Sequence, residues 1–166
     1  MKLSVAIAAS KDADEIAALL SDAADHLTEN YGKGHWSYHS TEKGVLFGMK
    51  GNAKVLIAKD GNRIVGTLRL ATKKPWVIDT AYFTQVTKPV YLTGMAIHPD
   101  IQRRGLGKFM LEEAKSVAGK WPGQAIRLDA YDADAGAGDF YRKCGYSDRG
   151  RIVYRDVPHL YFELLL

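Results

Sequence analysis

The chain has 166 residues, of which 46% are hydrophobic and 25% charged. That length and balance fit one compact soluble domain with a real core, and no apolar run approaches the roughly 20 residues of a membrane helix. The net charge of +4 is scattered, which disfavours a nucleic-acid surface and suits a small anionic ligand; the one cysteine, Cys144, excludes an internal disulfide and a cysteine-based zinc site.

The apolar opening "MKLSVAIAAS" runs at once into an amphipathic pattern, so it reads as a first strand of a cytoplasmic protein and not as a signal peptide. Asp12 and Glu15 have the spacing of a capping box, and Ile16, Leu19, Leu20, Ala23 and Leu27 share one face of the helix that follows. A glycine- and aromatic-rich connection, "YGKGHWSYHS", precedes a short second helix capped by Ser40 or Thr41 and running through Leu46. Two β-rich runs flank Asp60-Gly61-Asn62 and predict a hairpin. Residues 73–89 carry two prolines and Trp76 and read as irregular. The run "VYLTGMAI" is almost wholly apolar, which predicts a central strand buried on both faces.

After the glycine-containing stretch "HPDIQRRGLGKF" comes a helix with Leu106, Phe109, Met110, Ala114, Val117 and Ala118 on one face, ended by Pro122 and Gly123. A strand "AIRLDAY", a short helix within "AGAGDFYRKCGY" closed by Gly145, and two strands divided near Pro158 complete the chain. The order βα(α)βββαβαββ predicts a mixed α/β sheet with helices on both faces.

The stretch from His98 to Phe109 places two glycines and three cations where a strand hands over to a helix. A helix N-terminus exposes unpaired N–H groups and partial positive charge, and glycines let a phosphate approach the backbone closely. The loop therefore has the chemistry of a pyrophosphate cradle, although an ordinary strand-to-helix turn with solvated arginines has the same spacing. It does not fit the nucleotide P-loop, because Gln102 stands where the first glycine belongs and Phe109 where Ser or Thr does. It does not fit Gly-x-Gly-x-x-Gly either, because Met110 occupies the third glycine position. It fits Gln/Arg-x-x-Gly-x-Gly/Ala over Gln102, Arg103, Arg104, Gly105, Leu106 and Gly107.

With that motif, the block 90–146 resembles the GNAT superfamily of acetyl-CoA-dependent N-acetyltransferases. The strand "YLTGMAIHPD", the loop "QRRGLGK", its helix, the strand "IRLDAY" and the ending "DFYRKCGY" follow in the family's order, with Tyr146 in place of the usual phenylalanine. The resemblance implies a mostly antiparallel seven-stranded sheet, splayed between its two central parallel strands, and direct acetyl transfer to an amine with no metal. It implies that the backbone of Met95, Ala96 and Ile97 pairs with the pantetheine arm. It further implies that N–H groups from Arg103 to Lys108 hold the pyrophosphate. Gly94 supports a bulge in that strand on independent grounds, since a strand-interior glycine marks a bulge or close backbone approach.

Tyr141 stands where the family carries its general acid, and Asp129 where some members carry a glutamate base. A packed tyrosine and a strand-end aspartate with a structural hydrogen bond are the plainer readings of each. Asp134 takes the place of an asparagine that contacts CoA in relatives. His35 and His39 have metal-ligand spacing, but Trp36 replaces the glutamate of a zinc-protease motif and the glycines argue against a helix. By resemblance His35, Trp36 and Tyr38 lie near the acceptor entrance, unless they are packing anchors. Cys144 reads as a small buried residue, since direct transfer needs no acyl-enzyme. The acceptor is expected to be a small-molecule or peptide amine, without nucleic-acid or membrane partners, in a monomer or homodimer. A non-catalytic acyl-CoA-binding module is the alternative.

Overall fold

The computed structural model describes all residues from Met1 to Leu166. Strands β1 (Leu3–Ile7), β2 (Ala53–Asp60), β3 (Arg63–Ala71), β4 (Pro89–Ile97), β5 (Ala125–Tyr131), β6 (Ser147–Tyr154) and β7 (Val157–Leu165) form one sheet in the order β1-β2-β3-β4-β5-β7-β6. Every neighbouring pair is antiparallel except β4 and β5. The helices are α1 (Ala13–Tyr31), α2 (Glu42–Gly48), α3 (Leu106–Lys120) and α4 (Gly138–Lys143). No helix is long and apolar enough to cross a membrane.

The alternation of β2 shows why helices cover both faces. Val55 and Ile57 point one way and meet Ile16 and Leu19 of α1. Leu56 and Ala58 point the other way, into the main core with Met110, Ala114 and Ala118 of α3, Tyr141 of α4 and Phe162 of β7. A bulge in β3 moves Gly66 to the α3 face, and from there Leu68 and Leu70 enter the main core. Thr67 and Arg69, the alternate residues, therefore face α1 and α2.

Segment 73–89 is irregular as expected, and it closes the sheet face beside β5 and β7 with Ile78 and Phe83 against Tyr91 and Tyr161. Beneath it lies Arg127, 4% exposed, which donates to Glu163 at 3.2 Å, to the Tyr91 hydroxyl at 3.2 Å and to the Thr84 carbonyl at 2.6 Å.

Several local expectations are corrected. Asp12 acts one turn earlier than the Asp12–Glu15 pattern implies: its Oδ2 accepts from the Ala9 N–H at 2.8 Å. Glu15 instead accepts from the Ile64 N–H at 3.2 Å, a tertiary contact that outcompetes a local cap. Of the two candidate caps for α2, Thr41 is the one used, accepting from the Gly44 N–H at 3.1 Å, and the helix runs on to Gly48. Phe109 is 40% exposed and Leu111 takes its expected place in the core of α3. The last two strands divide at Arg155 and Asp156, and Pro158 lies inside β7, opposite Val153. β4 is buried only over Val90–Leu92; Gly94 is exposed and Met95–Ile97 are half-buried. Its second half is not core because it borders the cleft.

Candidate active site at the splay of the sheet

β4 and β5 pair over only three positions, Pro89, Val90 and Tyr91 against Ala125, Ile126 and Arg127. Beyond them the ladder stops, which leaves β4 from Leu92 to Ile97 without a partner on that side. The cause lies in β4 itself. Thr67 pairs with Ala96 while Arg69 pairs with Thr93, so one extra residue of β4 is accommodated there. Gly94 sits in this bulge with φ +59°, a conformation that disfavours any side chain. The bulge bends β4 away from β5 and opens the sheet.

At the open end, the chain turns through Pro99–Ile101 into the glycine loop. Arg103 has φ +64° and Gly105 φ +84°, so left-handed residues frame the start of α3. None of the N–H groups from Gln102 to Lys108 donates to another protein atom, and with the helix N-terminus behind them they form a concavity with the chemistry to accept an anion. Gln102 spends its side-chain amide on the Ile97 carbonyl at 3.1 Å, which ties the loop back to the end of β4. Gly107 is needed for space: a Cβ there would come within 2.9 Å of Phe140 on α4.

The loop and the splayed strand line one cleft of about 530 Å³ with Met95, Ala96, Ile97, Gln102, Arg103, Gly105, Gly107, Lys108, Phe140 and Tyr141. Three of the residues expected from the sequence to bind CoA lie outside this lining. Leu106 is buried in the core beneath α3, and Arg104 and Asp134 are exposed. Asp129 borders an adjoining cleft of about 360 Å³, which shares Leu27, Met95, Ala135, Ala137 and Tyr141 with the first and adds Trp36, Thr93, Gly94 and Tyr131 among others.

Tyr141 therefore stands between the two clefts. It comes from the α3 face of the sheet, 7% exposed, and its hydroxyl lies 3.8 Å from the Met95 sulfur. Burial, with Asp129 and Cys144 nearby, pushes its phenol well above the usual value, so it stays protonated. Asp129 approaches from the opposite face, because its neighbours Leu128 and Ala130 point into the main core. Burial raises its carboxyl above the ordinary range, against the lowering pull of His159. The His159 Nδ1 lies 2.9 Å from Asp129 Oδ2, with the imidazole 10% exposed.

Sequence reasoning missed His159. The signal was its place in "HLYFELLL", where His159, Tyr161 and Glu163 alternate with apolar residues and so share the face of Asp129. Around the mouth, Trp36 packs edge-on to Tyr131 at 6.0 Å, while His35 contributes its carbonyl to the Tyr131 hydroxyl at 3.2 Å. Tyr38 points away, 87% exposed, and His39 pairs with Asp25 at 2.6 Å. Cys144 is partly buried at the end of α4.

Known proteins agree with this geometry. The model of the acetyltransferase (GNAT) family matches residues 17–146. Among solved structures, the PaiA N-acetyltransferase of Thermoplasma acidophilum in complex with coenzyme A superimposes with a TM-score of 0.74 at 13% identity, over 100% of both chains. The ribosomal-protein-S18-alanine N-acetyltransferase of Escherichia coli gives a TM-score of 0.72 at 14% identity, over 99% of this chain and 94% of that one. An aminoglycoside 6'-acetyltransferase type Ii gives 0.71 at 16%, over 98% and 96%. At these identities the superpositions establish the fold alone, and no curated protein sequence matches the chain. A family match over most of the chain, on a sheet splayed beside an open run of N–H donors, identifies the chain as a member of the GNAT acetyltransferase family.

Proposed function

We propose that residues 1–166 act as a single cytoplasmic N-acetyltransferase domain that moves an acetyl group from acetyl-CoA to a primary amine by direct transfer. The observation that carries this reading is the position of Tyr141, with its protonated hydroxyl at the junction between the anion-binding cleft and the cleft that holds Asp129.

The residues present suit acetyl-CoA as substrate. The free N–H groups from Arg103 to Lys108 would hold its pyrophosphate, with Arg103 and Lys108 adding charge, and the unpaired edge of β4 at Met95–Ile97 would receive the pantetheine arm. Acetyl-CoA supplies an acyl group activated as a thioester and a thiolate that leaves. Tyr141 donates its phenolic proton to the departing sulfur. Asp129 takes the proton that an ammonium must lose before its nitrogen can attack, and His159 fixes the carboxylate that does so. The two groups meet the slot from opposite faces of the sheet, so the proton lost by the amine and the proton gained by sulfur need not compete for one site. Backbone N–H groups at the splay would stabilise the oxyanion.

An amine-library screen that follows CoA release tests the reading. Acceptor-dependent release with formation of an N-acetyl product is expected, and tight acetyl-CoA binding without turnover on any amine would overturn it.

A further inference from the structure

A third cavity, about 370 Å³ in volume, lies between α1, α2 and the sheet. It is lined by apolar residues and glycines of α1, α2, β2 and β3 and by His39, Ser40, Thr41, Thr67, Arg69 and Gly94. Gly94 is shared with the Asp129 cleft, so this cavity opens on the bulge that splays the sheet.

Arg69 sets it apart. Its guanidinium donates through Nε to the Gly48 carbonyl at 2.7 Å, and no carboxylate comes within 4.0 Å of it. Burial lowers its pKa, a sign that this cation has lost water without gaining a counter-charge. Arg127 on β5, more deeply buried at 4% exposed, shows what the fold does with a structural arginine: Glu163 neutralises it and carbonyl and hydroxyl oxygens take its other donors. Arg69 has none of that beyond one carbonyl. The lining of its cavity contains no Asp or Glu. Gly48 keeps the place open, because a Cβ there would stand 3.3 Å from Arg69 Nε. A partly buried cation with idle terminal N–H groups on the wall of a cavity is the chemistry of a site for a ligand anion, and a guanidinium fork matches a carboxylate in two parallel hydrogen bonds.

We propose that Arg69 binds a carboxylate of the acceptor, so that the preferred substrates are amino acids or peptide-like amines carrying a free carboxylate and not simple polyamines or neutral amines. The inference rests on the acetyl-transfer reading above and adds the class of acceptor to it. The apolar residues of α1 take the remainder of the substrate, and the bulge at Gly94 lies on the path from Arg69 to the slot.

The test compares the α-amino acids, and short ω-amino acids, with their primary carboxamides. For the best acceptor, kcat/KM is expected to exceed that of its amide by at least about 10-fold, the low end for a charge-assisted pair. Arg69→Gln should close most of that gap by raising KM for the acid, and Arg69→Lys should restore part of it. A binding arm separates this inference from the reading it rests on. Calorimetry of N-acetyl amino acids and their amides, titrated into the CoA complex, should show the same preference for the acid and its loss in Arg69→Gln. Equal use and equal binding of acids and amides by the unaltered protein would overturn the inference while leaving acetyl transfer intact. A preference that survives in Arg69→Gln would do the same. Carboxylate-selective binding without turnover of any amine would uphold the site and overturn the acetyl-transfer reading.

Discussion

Tyr141 and Asp129 both sit where burial disfavours their charged forms, and each leads to a measurable outcome. Tyr141→Phe removes only a proton donor from a packed ring, so steady-state kinetics should show kcat reduced by about 10²–10⁴-fold, with water substitution favouring the low end. Affinity for acetyl-CoA should be nearly unchanged, because the hydroxyl acts only as the C–S bond breaks. Full turnover in that variant would return the proton to solvent. Asp129 titrates above the ordinary carboxylate range because burial disfavours its charge, and His159 opposes that shift. In His159→Gln the opposing charge is gone, so the carboxyl should rise further, and the acid limb of the kcat/KM profile should move to higher pH. A limb that stays in place would show His159 to be a packing residue. Tyr141 could be proposed from the chain because its motif is local. His159 and Arg69 are harder to read, because their partners are distant in sequence: Asp129 is 30 positions from His159, and Gly48, at the end of α2, is 21 from Arg69.

The loop before α3 works through its backbone more than through its arginines. Gly107→Val would drive a branched side chain into Phe140, only 2.9 Å from an added Cβ, and so displace the first turn of the helix. Arg104 is exposed and lines no part of the cleft, so Arg104→Ala should cost roughly 1 kcal/mol or less in CoA binding. Calorimetry with CoA should therefore rank Gly107→Val as far the more damaging; the opposite order would make side-chain charge the determinant. The same elements show what a pattern can and cannot carry. Period-2 and period-3.6 signals, with the turn residues between them, gave seven strands and four helices in order. They could not choose between Phe109 and Leu111, which lie about 100° to either side of Met110 on the helix. The apolar run of β4 suggested burial throughout, yet its second half lines the opening of the sheet. Apolar residues that will border a cleft and those that will border the core look alike in one dimension.

Across the whole molecule, the buried Arg127–Glu163 pair ties segment 73–89 to the sheet, since Glu163 also accepts from the Thr84 N–H at 3.2 Å. Glu163→Ala leaves a fully buried guanidinium without its charge partner, and urea unfolding should show a loss of about 3–5 kcal/mol. A loss below about 1 kcal/mol would mean that water reaches Arg127. The remaining feature with molecule-wide reach is the interrupted ladder. β1–β4 and β5–β7 are two well-bonded plates that share a seam three residue pairs long. A pull that separates the plates loads that short seam one bond at a time, like a zipper, while a pull along the strands loads many bonds at once. The mechanically weakest direction of the protein thus coincides with the direction in which acetyl-CoA would enter under the proposed function. A molecule laid along the gap would serve as a rivet as well as a reactant.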